Sequence, residues 1–172
     1  EMKTFTANPM YRYLIVLTIA SAVGLQAWRT LFNNFAVEVV GLSGAQVGII
    51  QSVREIPGFL ALLTVYFILI IREHHLSALS ILFLGLGVAL TGCLPTYSGI
   101  VITTLIMSSG FHYYETTNQS LTLQYFDKTK SPLVFGSQRR YAALANIAVG
   151  IFIFLAQPFL SYKQLYVLLG IL

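Results

Sequence analysis

The sequence has few charged side chains. Its 172 residues include ten Lys and Arg and six Asp and Glu, so only 9% are charged, while 56% are hydrophobic. Ordinary soluble domains have about 25% charged and about 45–50% apolar residues. So few charges cannot cover the surface of a soluble 19.1 kDa globule, and most of that surface must contact lipid. The composition therefore excludes a soluble domain and predicts a membrane protein.

Cysteine is also scarce, because Cys93 is the only one. This excludes a disulfide within the chain and argues against a Cys-based metal site. The adjacent histidines His74 and His75 have no third ligand at a metal-binding spacing, so we predict neither a metal nor a cofactor. The pI near 9.3 does not indicate nucleic acid, because the basic residues lie in short connectors between apolar blocks and not on one face.

Six apolar blocks follow one another along the chain. The first five are long enough to cross a bilayer as helices. The sixth is cut off while still apolar and is too short for a hydrocarbon core of ~30 Å at ~1.5 Å per residue. We therefore expect one all-α domain over residues 1–172, a polytopic bundle of six transmembrane helices with the sixth truncated. A start at Glu1 and a stop inside a span also predict a fragment. The blocks are residues 10–37, 44–71, 76–94, 97–122, 140–160 and 162–172.

Lys and Arg are divided unequally between the two sides of these spans. Cytoplasmic segments carry the excess of such residues, and only Lys163 falls on the opposite side. We expect a multi-pass protein of the plasma (inner) membrane with a cytoplasmic N-terminus. A cleaved signal peptide is the alternative, but the first apolar block continues to Ala36. The residues on the cytoplasmic side are Lys3, Arg12, Arg72, Lys128, Lys130, Arg139 and Arg140, the last four in a connector predicted from Tyr125 to Arg140.

Four charged residues remain inside the spans, namely Arg29, Arg54, Glu55 and Glu115. Each costs at least ~2.5–3.5 kcal/mol near the bilayer centre on insertion scales, so such residues mark functional sites. Arg54 and Glu55 are neighbours and point about 100° apart on a continuous helix, so we expect each to find its partner on another helix. Fixed salt bridges between helices are the alternative explanation.

Helical spacing places further polar residues on the same helix faces as these four charged residues. Two arginines favour an anionic or carboxylate-bearing substrate, and Glu115 with His112 on the same face is a candidate proton carrier. His112 alone could equally be structural, and Tyr113 could stack on a substrate or simply pack. The candidate substrate-binding residues are Gln26, Arg29, Asn33, Arg54, Tyr113 and Asn146. The candidates for proton coupling or ion pairing are Glu55, His112, Glu115 and Gln119.

This pattern resembles the N-terminal half of a major facilitator superfamily transporter. The resemblance rests on the short outer connector Gly41-Leu42-Ser43-Gly44, the long basic connector between spans 4 and 5, and polar faces on spans 1, 2, 4 and 5. It implies that helices 1 and 4 line a cavity, that helices 2 and 5 contact a second half, and that helices 3 and 6 stand outside. The connector 70–76 lacks the family's Gly and Asp, and the segment 146–157 lacks the Gly-Pro-rich motif of many antiporters.

The resemblance implies secondary active transport of a small solute by alternating access. The expected partners are a small-molecule substrate, protons, the lipid bilayer and a C-terminal half of the same transporter. We do not expect an enzyme, and we expect no transport by this half alone. A stand-alone six-helix channel or assembly factor is one alternative. An intramembrane enzyme built on Ser108, Ser109, His112 and Glu115 is another, although these residues on one helix are more simply a cavity face.

Overall fold

The computed structural model describes residues 7–172, so Glu1 and Lys3, which entered the expectations above, lie outside it. The chain is 83% helical and the described part contains no strand, which confirms the all-α prediction. A π-helical segment, Phe35–Val39, continues the first helix, and a short 3₁₀ segment, Ala61–Leu63, lies within the second apolar block. The α-helices are α1 (Pro9–Asn34), α2 (Gly44–Val53), α3 (Ile56–Leu60), α4 (Thr64–Ile68), α5 (Glu73–Thr91), α6 (Tyr97–Tyr125), α7 (Ser131–Ala156) and α8 (Tyr162–Ile171).

Four helical segments are long and apolar enough to cross a membrane: Pro9–Val39, Gly44–Ile68, Glu73–Thr91 and Ser131–Ala156. We conclude that the protein is membrane-embedded. The fourth predicted span forms α6, which is continuous over 29 residues but is not in this group. It packs against α5, the second span and α1, and a helix covered by other helices does not need an apolar surface. Of the five complete spans expected, four are confirmed as helical segments long and apolar enough to cross a membrane, and the crossing by α6 stays a prediction.

The second span is not one helix, contrary to our expectation for residues 44–71. It divides into α2, α3 and α4, which together form the broken span, Gly44–Ile68. Pro57 explains the first break, since it has no N–H to donate to the Val53 carbonyl and its ring clashes there. Accordingly α2 ends at Val53, and the Gly58 N–H donates to the Glu55 carbonyl at 3.0 Å.

The connector before α7 is shorter than predicted, because the helix begins at Ser131 and not near residue 140. Pro132 in the first turn favours this start, since its missing N–H is not needed there. Arg139 and Arg140 are therefore helical. In the connector that remains between α6 and α7, Thr129 and Lys130 donate hydrogen bonds to the Asp127 carboxylate. These bonds, with that from Thr129 the larger effect, hold the pKa of Asp127 well below its usual value.

Glycines allow close contact in the α5–α6 pair, the most extensive helix contact of the bundle. A Cβ added at Gly87 of α5 would lie 2.6 Å from the Met107 Cα, and one at Gly110 of α6 would lie 2.9 Å from the Leu84 Cα. Small residues let helix backbones approach in membranes, where the hydrophobic effect does not drive helix association. This pair forms the support on which α1, the broken span and α8 pack.

Gly87→Ala should therefore lower stability, because the new methyl group must push the α6 backbone away. Overpacking of this kind costs about 1–3 kcal/mol. The matched control is Gly150→Ala in α7, where a Cβ meets nothing within 4 Å and should leave stability equal or higher. Thermal unfolding of the purified protein in detergent, followed by circular dichroism, measures both. Equal melting temperatures for the two variants would contradict this description of the helix pair.

Candidate functional site

A polar cavity of about 590 Å³ lies between α1, α6 and α7. We call it the large cavity. Neither α5 nor α8 contributes to its lining, whereas α7 does. Arg29, Glu115 and Arg139 supply charges, and the remaining polar groups are mainly carboxamides and hydroxyls. The polar lining residues are Thr18, Ser21, Gln26, Arg29, Tyr114, Glu115, Asn118, Gln119, Gln138, Arg139 and Asn146.

Two carboxamides fix one wall of the large cavity. Asn118 of α6 and Gln138 of α7 exchange two hydrogen bonds of 3.1 Å, and Gln138 also donates to the Thr122 hydroxyl at 3.3 Å. Gln138 is only 5% exposed, so this pair satisfies amide groups that would otherwise be buried without partners. The contact joins α6 to α7 at the cavity surface and holds the wall in place.

A second cavity of about 60 Å³ lies where α1, the broken span and α6 meet. We call it the small cavity. Its polar lining consists of Arg29, Arg54, Glu55, Ser108 and His112. Arg29 lines both cavities, as do the apolar residues Leu25 and Phe111. The two cavities are therefore neighbours, and Arg29 stands at the boundary between them.

Arg54 and Glu55 bind each other, which corrects our expectation of separate partners on other helices. The Arg54 Nη2 and Nε atoms donate to Glu55 Oε1 at 2.6 and 3.0 Å. The reason is the break, because both residues lie between α2 and α3, where the regular 100° step does not apply. The Arg54 guanidinium also lies 5.7 Å from the ring centroid of Trp28, a fully buried residue of α1. This cation–π geometry stabilises a charge that the membrane interior disfavours.

Two residues one turn apart on α6 hold the break. In a continuous helix the Arg54 carbonyl would accept from the Gly58 N–H, but here it accepts from the Ser108 hydroxyl instead. The His112 ring lies against Gly58, where an added Cβ would be 3.0 Å from His112 Cε1. Ser108 thus supplies the donor that the broken span has lost, and Gly58 leaves room for the imidazole.

The structure places eight of the ten candidate residues at the two cavities. Gln26, Glu115, Gln119 and Asn146 line the large one, Arg54, Glu55 and His112 line the small one, and Arg29 lines both. Asn33 is exposed on α1 and lines neither. Tyr113 lies apart as well, with its hydroxyl 3.4 Å from the Leu60 carbonyl and its ring edge-on to Phe67.

His112 and Glu115 line different cavities although they lie on one helix, so a proton relay between them stays a prediction. Sequence reasoning did not select Gln138 or Arg139, because it began the fifth span at residue 140. The signal was present, since Gln138 lies two helical turns before Asn146 on the same face. Among residues 7–172 no group of three or more His, Cys, Asp or Glu could hold a metal ion.

Comparison with protein-family models, with curated proteins and with solved structures finds no match to this chain.

Ser108→Ala should destabilise the fold, because it leaves the Arg54 carbonyl buried without a donor. Such a loss costs about 1–3 kcal/mol. Ser109→Ala is the matched control: its hydroxyl donates at 2.7 Å to the Leu105 carbonyl of its own helix, which the helix already satisfies, so we expect a change below about 0.5 kcal/mol. Ser108→Thr keeps a hydroxyl and should recover part of the loss. Thermal unfolding in one detergent compares the three variants. Equal effects of the two alanine substitutions would refute the stabilising hydrogen bond from Ser108 to the Arg54 carbonyl.

Proposed function

We propose that this chain is the N-terminal six-helix half of a secondary transporter of the major facilitator type, which moves a small solute by alternating access. The large cavity carries the proposal. It gathers carboxamides, hydroxyls and the exposed charges of Arg29, Glu115 and Arg139 in an open cleft between three helices, whereas other surfaces of the bundle are rich in exposed apolar side chains. Such a cavity binds a polar solute away from lipid, and intramembrane charges typically mark substrate pathways.

The broken span supports the same proposal. Transporter binding sites are typically formed by discontinuous helices near the bilayer midplane, where irregular backbone lines a cavity. Here the break falls at Arg54 and Glu55, and both side chains line the small cavity.

Part of the helix-contact pattern also fits a transporter of this type. Each half of such a transporter contains two inverted repeats of three helices, so exchanging spans 1, 2 and 3 with spans 4, 5 and 6 should preserve the contacts. The contacts of α1 with α7 and α8 then correspond to those of α6 with the broken span and α5, and the α5–α8 contact corresponds to itself. The α1–α5 contact is an exception, because α6 and α8 make no comparable contact in the described part of the chain.

Charge suggests the substrate class and the coupling ion. Arg29 lies at both cavities, whereas Arg54 is engaged with Glu55. We therefore assign Arg29 as the first contact of an anionic or carboxylate-bearing solute. Glu115 is the one acidic residue at the large cavity, and we propose that it carries the coupled proton.

Glu115→Gln in the full-length protein should abolish coupling, because an amide cannot take up and release a proton. Proteoliposomes are given a panel of radiolabelled small carboxylates with and without an inward proton gradient. We expect the gradient to accelerate uptake by the unmodified protein but not by the variant. Glu38→Gln, at an exposed residue outside both cavities, is the control and should retain the acceleration. Acceleration retained in Glu115→Gln would remove Glu115 from this role, and the absence of uptake of every carboxylate would refute the substrate class.

We also propose that the N-terminus is cytoplasmic in the plasma (inner) membrane, which places Cys93 on the outer side. Cys93 is exposed and follows the end of α5. A membrane-impermeant maleimide should therefore label Cys93 in intact cells. In a Cys93→Ser background, Arg140→Cys should react only after permeabilisation. The reverse labelling pattern would show the opposite orientation.

A further inference from the structure

The small cavity contains an excess of positive charge. Its charged lining residues are Arg29, Arg54 and Glu55, and Glu55 already accepts two hydrogen bonds from Arg54. Arg29 makes no hydrogen bond or salt bridge within residues 7–172. Its side chain is exposed and lines both cavities, so its N–H donors are free to bind a ligand there.

No other acid in the described part of the chain compensates Arg29. The charged groups that act on it electrostatically are Arg54 and Glu55, and Glu115 is not among them although it lines the same large cavity. A second arginine nearby makes the local field more positive. An unpaired guanidinium at this depth is costly, and a bound anion would remove that cost.

We infer that the small cavity is a binding site for a small anion, either a halide or a single carboxylate group. A volume of about 60 Å³ holds a few water molecules and accommodates such a group, but not a whole organic solute. Arg29 is the principal ligand. Arg54 supplies the Nη1 donors that Glu55 leaves unused, and the His112 ring borders the site.

The break holds this site in place. The Ser108 hydroxyl fixes the Arg54 carbonyl, and the Trp28 ring supports the Arg54 guanidinium from the opposite helix. Arg54 is therefore oriented before an anion arrives, which lowers the entropic cost of binding. Because Leu25, Arg29 and Phe111 line both cavities, the two adjoin, and a solute in the large cavity can place its carboxylate in the small one.

Trp28 reports on this site directly, because it is the only tryptophan and is fully buried beside Arg54. The experiment titrates the protein in lipid nanodiscs with potassium iodide at constant ionic strength and measures tryptophan fluorescence. We expect saturable quenching by iodide and none by caesium, a cationic quencher. Chloride and acetate should compete with iodide. Quenching that does not saturate, that caesium reproduces, or that chloride leaves unchanged would overturn the inference.

Substitutions that each remove one charged group test whether the charge of Arg29 binds the anion. Arg29→Gln should raise the iodide concentration for half-quenching at least about tenfold, the loss expected for a charged hydrogen bond. Glu55→Gln should lower it, because a competing negative charge is removed. Arg140→Gln removes the same charge at a residue that lines neither cavity, so it is the matched control and should change nothing. If Arg29→Gln does not fold by circular dichroism, chloride competition in the unmodified protein decides the question.

Equal half-quenching concentrations in the Arg29→Gln, Glu55→Gln and Arg140→Gln variants would also contradict the site. Binding of the anion does not depend on transport. A negative result here therefore leaves the proton-coupling experiment on Glu115 unaffected, and a failure of that experiment leaves the anion site standing.

Discussion

Hydrocarbon offers no hydrogen bonds, so a backbone group that leaves a helix within a membrane must find a partner in the protein. Pro57 breaks the second span, and beside it the Gly58 N–H donates to the Glu55 carbonyl and not to the Arg54 carbonyl. The Ser108 hydroxyl donates to the Arg54 carbonyl instead. The small cavity therefore depends on this break and on the donor that α6 supplies to it.

The helix α6 serves structure and function with different faces. Gly110 packs against α5, Ser108 and His112 hold the broken span, and Glu115 and Gln119 line the large cavity. This explains why α6 is less apolar than the four segments whose length and composition allow them to cross a membrane. Its polar groups are directed at other helices and at cavities, so little of its surface has to be compatible with lipid.

The sequence was sufficient to predict the helical blocks and several of their ends. The second span begins at Gly44, as predicted, where Ser43 caps α2 with a capping box. The sequence was not sufficient to predict the break in the second span. Residues 44–71 are apolar throughout, which predicts one continuous helix, although the helix-breaking Pro57 lies within them. Nor could it pair Arg54 with Glu55, since that contact exists only where the helix is irregular. Which polar residues share a cavity depends on packing between helices, and so Tyr113 and Asn33 could not be separated from the others beforehand.

The central claim is that the large cavity is polar and accessible to water, and thiol accessibility on α7 tests it most directly. Asn146 lines the large cavity, whereas Leu144 lies at nearly the same depth, outside both polar cavities and 56% exposed. In a Cys93→Ser background, a charged methanethiosulfonate reagent should react with Asn146→Cys much faster than with Leu144→Cys, because the reagent and the thiolate both require water. Equal reaction rates at the two positions would contradict the account.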